Sequence, residues 1–438
     1  MSAVNSSTSR KDKRPDVRAS ARLSDYQQKR REQALEKQRS ARRDFTNHAR
    51  QLALQQADQQ DDEMQEEKPP VEVRPGMLAE ASSEGSQATA GRVQPVEGTK
   101  QYYAQQLMQP EWLTDIPCRL ASDWYVMPRA EGRRCLVISS QGYTVSRLRN
   151  GSILHAFPSL LPNGSRRTGA SADAFCILDC VYHEPNQTYY VMDLMCWKGY
   201  PLYDCAAEFR LFWLHSKLAE TEAAGPAREQ HRYPFVPVPA FHCNPAGLTS
   251  AHSGPVDFQR DGCYLLHKEG QYELGPSPLA LLWKDAACSS FLVDTDASGV
   301  VPQYQQLVLE YRMDRTVATS DDPPVVLGRM PDAFVQSLGD KLRPGRLLRF
   351  SIREEGLQYV SGQVVGADLH FGGFGNQRRG RADACSKVVF QHQARHQPIQ
   401  LQQLLHAAAV SEAESADIEA GAADPDSTAT PAMMAIGE

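Results

Sequence analysis

The stretch from Phe175 to Leu218 constrains the fold of this chain more than any other. Phe175-Cys176-Ile177-Leu178-Asp179-Cys180-Val181-Tyr182 and Thr188 to Trp197 are apolar, aromatic-rich runs separated by the polar turn His183-Glu184-Pro185-Asn186-Gln187. Two such runs read as a β-hairpin with both strands mostly buried. After a second turn (Lys198 to Leu202), Glu208 to Leu218 reads as a helix of the next layer. This is the centre of an α+β core. By itself it names no chemistry.

Around that centre the apolar residues of the 438-residue chain concentrate between about Tyr102 and Phe350. The net charge of −6 conceals an asymmetry: the first fifty residues are basic, and Asp58 to Glu67 is acidic. That pattern suits a docking arm for an acidic partner followed by a solubilising spacer. The 10 cysteines form no CxxC pair and have no regular His partner, so they read as reduced thiols of an intracellular protein and not as metal ligands. No signal-peptide core and no apolar run near the ~20 residues needed to span a bilayer is visible, so membrane insertion is not expected.

In chain order, residues 1–20 have almost nothing to bury and read as disordered. Residues 21–54 read as an exposed helical arm capped by Ser24. Its basic series runs through Arg22, Lys29, Arg30, Arg31, Arg39, Arg42, Arg43 and Arg50, with 39, 43 and 50 on one helical face. Tyr26, Leu35, Phe45 and Leu52 are too sparse for a coiled-coil seam. Guanidinium groups suit phosphates and carboxylates alike, so residue type leaves a solvated helix, an RNA-binding arm and an arm for an acidic receptor all open. Residues 55–99 read as an acidic flexible linker and 100–285 as the folded domain. Residues 286–396 read as an insertion or degenerate small barrel, 397–410 as a C-terminal helix and 411–438 as a disordered tail. Within 100–285, a short helix and a Pro-started turn are expected over 102–113, and strands over 122–126, 133–140 and 142–149 with Asn150-Gly151 as a tight turn. Weaker strand signals fall at 306–311, 325–327, 347–352 and 358–365.

No nucleophile constellation, Walker-type loop or HExxH motif is present, so no catalytic residue, metal or cofactor is assigned. The order of elements says more. A strand bearing Arg133 and Arg134, a strand pair bearing Asp179 and Asp193, a strand opening Asp261-Gly262, and then Leu282-Trp283-Lys284 resemble the successive motifs of covalent nucleotidyltransferases. Those enzymes attack a nucleotide with the lysine of Lys-x-Asp-Gly, which this region lacks. A guanidinium stays protonated and cannot replace that amine. The expected fold is therefore an α+β, mRNA guanylyltransferase-like antiparallel-sheet domain without the catalytic lysine, binding a guanine nucleotide and not reacting with it.

Longer segments carry a narrower resemblance. Leu107-Met108 with Glu111-Trp112-Leu113, Leu160 to Arg167, Asn186 to Trp197 and Phe212 to Leu218 are similar to the snurportin family, and Arg22 to Arg50 is similar to that family's importin-β-binding segment. The resemblance implies a nuclear import adaptor that shuttles between nucleus and cytoplasm. Its partners would be the trimethylguanosine cap of spliceosomal small nuclear RNAs and importin-β. It further implies that Trp283 stacks on the cap base, that Trp112 and Met127 line the pocket, and that Arg134 and Arg149 meet the phosphates, with Lys284 beside them. Pro110 and Gln141 depart from the family's serine and arginine. A nuclear export receptor would recycle such an adaptor, but residues 1–20 hold only Met1 and Val4 as large apolar groups, in place of a leucine-bearing export signal. The physics is coherent: N7 methylation makes guanine cationic, and an indole face then gains about 1–2 kcal/mol of cation–π attraction. The alternatives are a nucleotidyltransferase with a displaced lysine such as Lys198 or Lys284, and a general RNA-binding protein.

Overall fold

The computed structural model describes residues 17–41, 44–65, 99–166, 174–296, 298–376 and 380–422. They divide into two compact units: the described residues within 34–112, 119–292 and 400–422 form the larger, and those within 17–33, 113–118 and 293–399 the smaller. Among the described residues, no helix is long and apolar enough to cross a membrane.

The larger unit holds twelve strands: β1 (Met108–Trp112), β2 (Trp124–Ala130), β3 (Arg133–Ser140), β4 (Tyr143–Leu148), β5 (Ile153–Phe157), β6 (Cys176–His183), β7 (Thr188–Trp197), β8 (Tyr200–Pro201), β9 (Phe235–Pro237), β10 (Phe241–His242), β11 (Arg260–His267) and β12 (Gly275–Trp283). One sheet runs β1-β12-β11-β2-β10; the other runs β5-β4-β3-β6-β7-β8, with β9 beside β7. Pairing is antiparallel except at β1–β12 and β7–β9. The β6–β7 hairpin lies where the sequence places it, and every residue of both strands is buried. A strand covered on both faces has no reason to alternate apolar and polar residues, which is why both runs read as continuous. The helix Ala207–Ala219 follows, burying Leu211, Leu214 and Leu218 at helical spacing.

Two expectations change. The segment expected to be a Pro-started turn is strand β1, with a register shift between Pro110 and Glu111; Pro lacks an N–H and is tolerated at such an irregularity. Residues Leu120–Asp123 form a helical turn, so the next strand starts at Trp124 and not at Ser122.

The expected arm of residues 21–54 lies in two helices, Val17–Ser40 and Phe45–Gln65, and the second runs on into the expected flexible linker of 55–99. Its few apolar residues are not idle. Phe45, Ala49, Leu52 and Ala53 share one face, Phe45 stacks on Tyr203 at 4.7 Å, and the other three enter the core of the larger unit. Four residues cannot make a coiled-coil seam, but they seat one helix. At the C-terminus the helix Leu401–Ala422 buries Leu404 and Ala408, one turn apart, and is longer than the expected 397–410.

The smaller unit contains a separate antiparallel sheet: β13 (Gln305–Tyr311), β14 (Thr316–Ala318), β15 (Val326–Arg329), β16 (Leu347–Val360) and β17 (Gln363–Phe374), in the order β15-β14-β13-β16-β17. Leu307, Leu309, Val317, Leu348, Phe350 and Ile352 fill its core, joined by Val388 and Val389 of the helix Cys385–His396.

Candidate ligand site between the two sheets of the larger unit

Register fixes which side chains can meet. Trp112 is opposite Leu282, Leu282 opposite Tyr264, and Tyr264 opposite Met127, so one row crosses β1, β12, β11 and β2. Directly paired residues share a face, and strand neighbours point the other way. Met127, Tyr264, Leu266 and Ala280 belong to the core shared with the second sheet, so the row faces that sheet. Trp112 is half-buried at its end.

The second sheet supplies the charge. Arg134 Nε donates to Asp179 Oδ1 at 2.9 Å and Nη2 to Oδ2 at 2.5 Å, a bidentate pair whose side chains are 8% and 2% exposed. Tyr272 donates its hydroxyl to Asp179 Oδ2 at 2.8 Å and accepts the Met108 N–H at 3.0 Å. Burial pulls the Arg134 pKa down, but the Asp179 carboxylate outweighs it and the net shift is well upward. Burial also raises Tyr264 and Tyr272, so both stay neutral. The Arg134 Nη1 group donates to no protein group among the described residues. A fixed cation with a spare donor edge, beside aromatic and aliphatic side chains, suits an anionic group attached to a flat ring.

A second charged group stands on the same face of the first sheet. Arg129 is two residues from Met127, and Lys284 two from Leu282. Both hold Asp261: Arg129 pairs with its carboxylate, and Lys284 Nζ donates to Oδ1 at 2.6 Å and to the Phe291 carbonyl at 3.2 Å. Gly262 makes this approach possible, because its φ is +100° and a Cβ there would stand 2.5 Å from the Trp283 carbonyl oxygen.

Of the residues singled out in sequence, Trp112, Met127 and Arg134 border this region, and Lys284 shares their face of the first sheet. Arg149 is exposed one residue beyond the last paired position of the β3–β4 ladder, Cys135 with Leu148, at the ladder end where Arg134 also sits. Trp283 does not join them. It pairs with Cys263, points to the opposite face, is 0% exposed and lies 5.8 Å from the His252 ring. One residue of strand register separates it from Leu282, which occupies the position in the row. Gln141 is exposed at a turn with φ +53°.

In the arm, Lys29, Arg39 and Arg50 are exposed, and Arg39 pairs with Glu269 at 2.7 Å. Arg30 donates to Gln27 at 2.7 Å. Arg31 is buried within the smaller unit and holds Asp115 through both terminal nitrogens at 2.9 and 2.6 Å. The Arg22 side chain, and Arg42 and Arg43, lie outside the described residues.

Sequence reasoning missed Arg129, Tyr264 and Leu282. The signal was available: counting in twos from Ala280 reaches Leu282, and from Met127 reaches Arg129.

Fold and site define an α+β domain of antiparallel sheets, the expected class, holding a buried Arg–Asp–Tyr network beside an aromatic row. Residues 106–284 of this domain match the family model described as Snurportin1, m3G cap-binding domain, and over that segment the chain is snurportin-like. Among solved structures, a mycobacterial DNA ligase D complexed with ATP and MES is similar at 11% identity, over 64% of this chain and 97% of that one, with a TM-score of 0.30. A Lig E DNA ligase gives 14% identity, 61% and 98% coverage, and a TM-score of 0.28. The Chlorella virus DNA ligase-adenylate gives 12%, 57% and 95%, and 0.28. At these scores nothing further about the chain rests on them.

Proposed function

We propose that this protein is a nuclear import adaptor whose larger unit binds the trimethylguanosine cap of spliceosomal small nuclear RNAs and whose basic arm joins the particle to importin-β. The snurportin-type match over residues 106–284 carries the reading. On this reading the residues of the site take the following roles. The Trp112 indole offers a stacking face to the cationic base, worth about 1–3 kcal/mol. Leu282 offers the apolar wall that a dimethylated amine needs, since that amine has no N–H to donate, and Met127 lies fully buried in the same row. The spare edge of Arg134 receives a bridging phosphate.

The domain is read as non-catalytic. Arg134 stands on the strand where the covalent enzymes carry their lysine, and Lys284 is committed to Asp261. On the arm, Lys29, Arg39 and Arg50 are presented to solvent and suit an acidic receptor.

Calorimetric titration of the full chain with trimethylguanosine and monomethylguanosine cap dinucleotides tests the first half. Saturable binding that favours the trimethylated cap is expected, and equal affinity for both caps would overturn the cargo assignment. For the second half, the combined variant Lys29→Ala, Arg39→Ala and Arg50→Ala should lose importin-β association and keep cap affinity. Retained association would remove the arm from this role.

A further inference from the structure

The five-stranded sheet of the smaller unit has no part in the reading above. Its strands follow the order β15-β14-β13-β16-β17, and the helix Asp332–Leu338 lies between the third and fourth strands in sequence. The outer strands meet: a Cβ on Gly328 of β15 would stand 2.9 Å from Leu369 Cδ1 of β17. The sheet therefore closes into a Greek-key barrel with the strand order of oligonucleotide- and oligosaccharide-binding barrels. Fold alone assigns no ligand, so the surface must do so.

Its charges are segregated. At one mouth the end of β13, the start of β14, the end of β15 and the start of β16 come together, through Thr316 opposite Arg329 and the Tyr311 N–H donated to the Arg346 carbonyl at 2.9 Å. This mouth carries Arg312, Arg315, Arg329, Arg343, Arg346 and Arg349, with Lys341 in the connection before Arg343, against Glu310, Asp314, Asp332 and Asp340. Arg315 is paired with Asp332, whereas Arg329, Arg343 and Arg349 are exposed, Arg312 is half-buried, and none of these four forms a salt bridge among the described residues. The acidic residues Asp321, Asp322, Glu354, Glu355 and Asp368 lie away from this mouth, in the β14–β15 loop and along the far half of the β16–β17 hairpin. Met313, at the tip of the β13–β14 loop, is 79% exposed, and the Arg346 guanidinium lies 5.1 Å above the half-buried Phe374 ring. Unpaired guanidinium groups interleaved with an apolar tip and an aromatic ring combine phosphate attraction with surfaces for unstacked bases.

We infer that this mouth binds a single-stranded polynucleotide through its phosphates, without base specificity. The site is separate from the cap site and does not depend on it, so the probe carries no cap. The full chain is titrated with a labelled, uncapped oligouridylate of about 12 nucleotides, by fluorescence anisotropy, at about 50 and 200 mM KCl. The combined variant Arg312→Ala, Arg329→Ala and Arg349→Ala should bind at least about tenfold more weakly at the lower salt. Its slope of log affinity against log salt should be shallower by about 2, as expected for three lost single-strand phosphate contacts. The matching Arg→Lys variant keeps the charges and should keep most of the slope, which separates charge loss from misfolding. The basic arm is intact in every variant, so its own contribution cancels. An oligodeoxyuridylate should bind comparably and a blunt duplex more weakly. Wild-type failure to bind at the lower salt, an unchanged slope in the Ala variant, or equal preference for duplex would overturn the inference.

Discussion

Two arginine–aspartate pairs stand in the larger unit with similar chemistry and different surroundings. Arg210 donates Nε and Nη2 to Asp193 at 2.9 and 2.8 Å, and Nη1 to the Cys205 and Gly270 carbonyls at 2.6 and 2.8 Å. It is 0% exposed, and each of its three nitrogens has an acceptor. Arg134 holds Asp179 in the same bidentate way, yet its Nη1 serves no protein acceptor among the described residues. A buried pair in which every guanidinium nitrogen has an acceptor is a strut; one with an unused nitrogen beside an aromatic row can take a ligand. The same contrast separates two tryptophans on neighbouring strands of one sheet: Trp283 sealed against His252, and Trp112 at the end of the row.

The largest effect should come from breaking the strut. Arg210→Ala leaves Asp193 charged and buried, and should cost about 3–5 kcal/mol of stability in chemical denaturation. Arg134→Ala leaves Asp179 the Tyr272 hydroxyl, so it should cost less stability, and should weaken cap binding by about 1.5–3 kcal/mol. If both variants lost only stability, the contrast between the pairs would be gone.

Tyr272→Phe removes the donor to Asp179 and orphans the Met108 N–H, for about 1–3 kcal/mol of stability. Acid should act more gently. His155, His215 and His231 all lie below 6.5, chiefly because burial disfavours the cation. The unfolded chain then takes up more protons than the folded one as pH falls below 6.5, so stability is full above that value and declines beneath it. In the smaller unit His392 is lowered to about 4 by burial and by His396 and Arg395, which extends the decline towards that pH. An identical melting temperature at about pH 7.5 and 5.5 would contradict this linkage. Arg39→Ala should have the smallest effect, under about 1 kcal/mol, because its pair with Glu269 is exposed.

The sequence made the central hairpin legible because strands buried on both faces read as unbroken apolar runs. It made Arg134 and Asp179 visible as charged residues in otherwise apolar strands. Strand alternation puts Leu282 and Trp283 on opposite faces, but the sequence leaves no local mark of which face β12 turns to the second sheet; its pairing with β11 sets that. Nor did the arm announce its seat: Phe45, Ala49, Leu52 and Ala53 are one helical stripe, but what they bury against is far along the chain, at Tyr203 and in the sheets. The barrel strands were faint because β14 and β15 are 3 and 4 residues long and are defined by their neighbours more than by their own composition.

The most direct test of the account is calorimetric titration of Trp112→Ala and Trp283→Ala, in the full chain, with the trimethylguanosine cap dinucleotide. The account predicts that Trp112→Ala stays folded and loses about 1–3 kcal/mol of cap affinity. Trp283→Ala should lose about 3–5 kcal/mol of stability and bind the cap normally at temperatures where it remains folded. A folded Trp283→Ala that cannot bind, beside a Trp112→Ala that binds like wild type, would place the cap on the other face of the sheet and contradict the site described here.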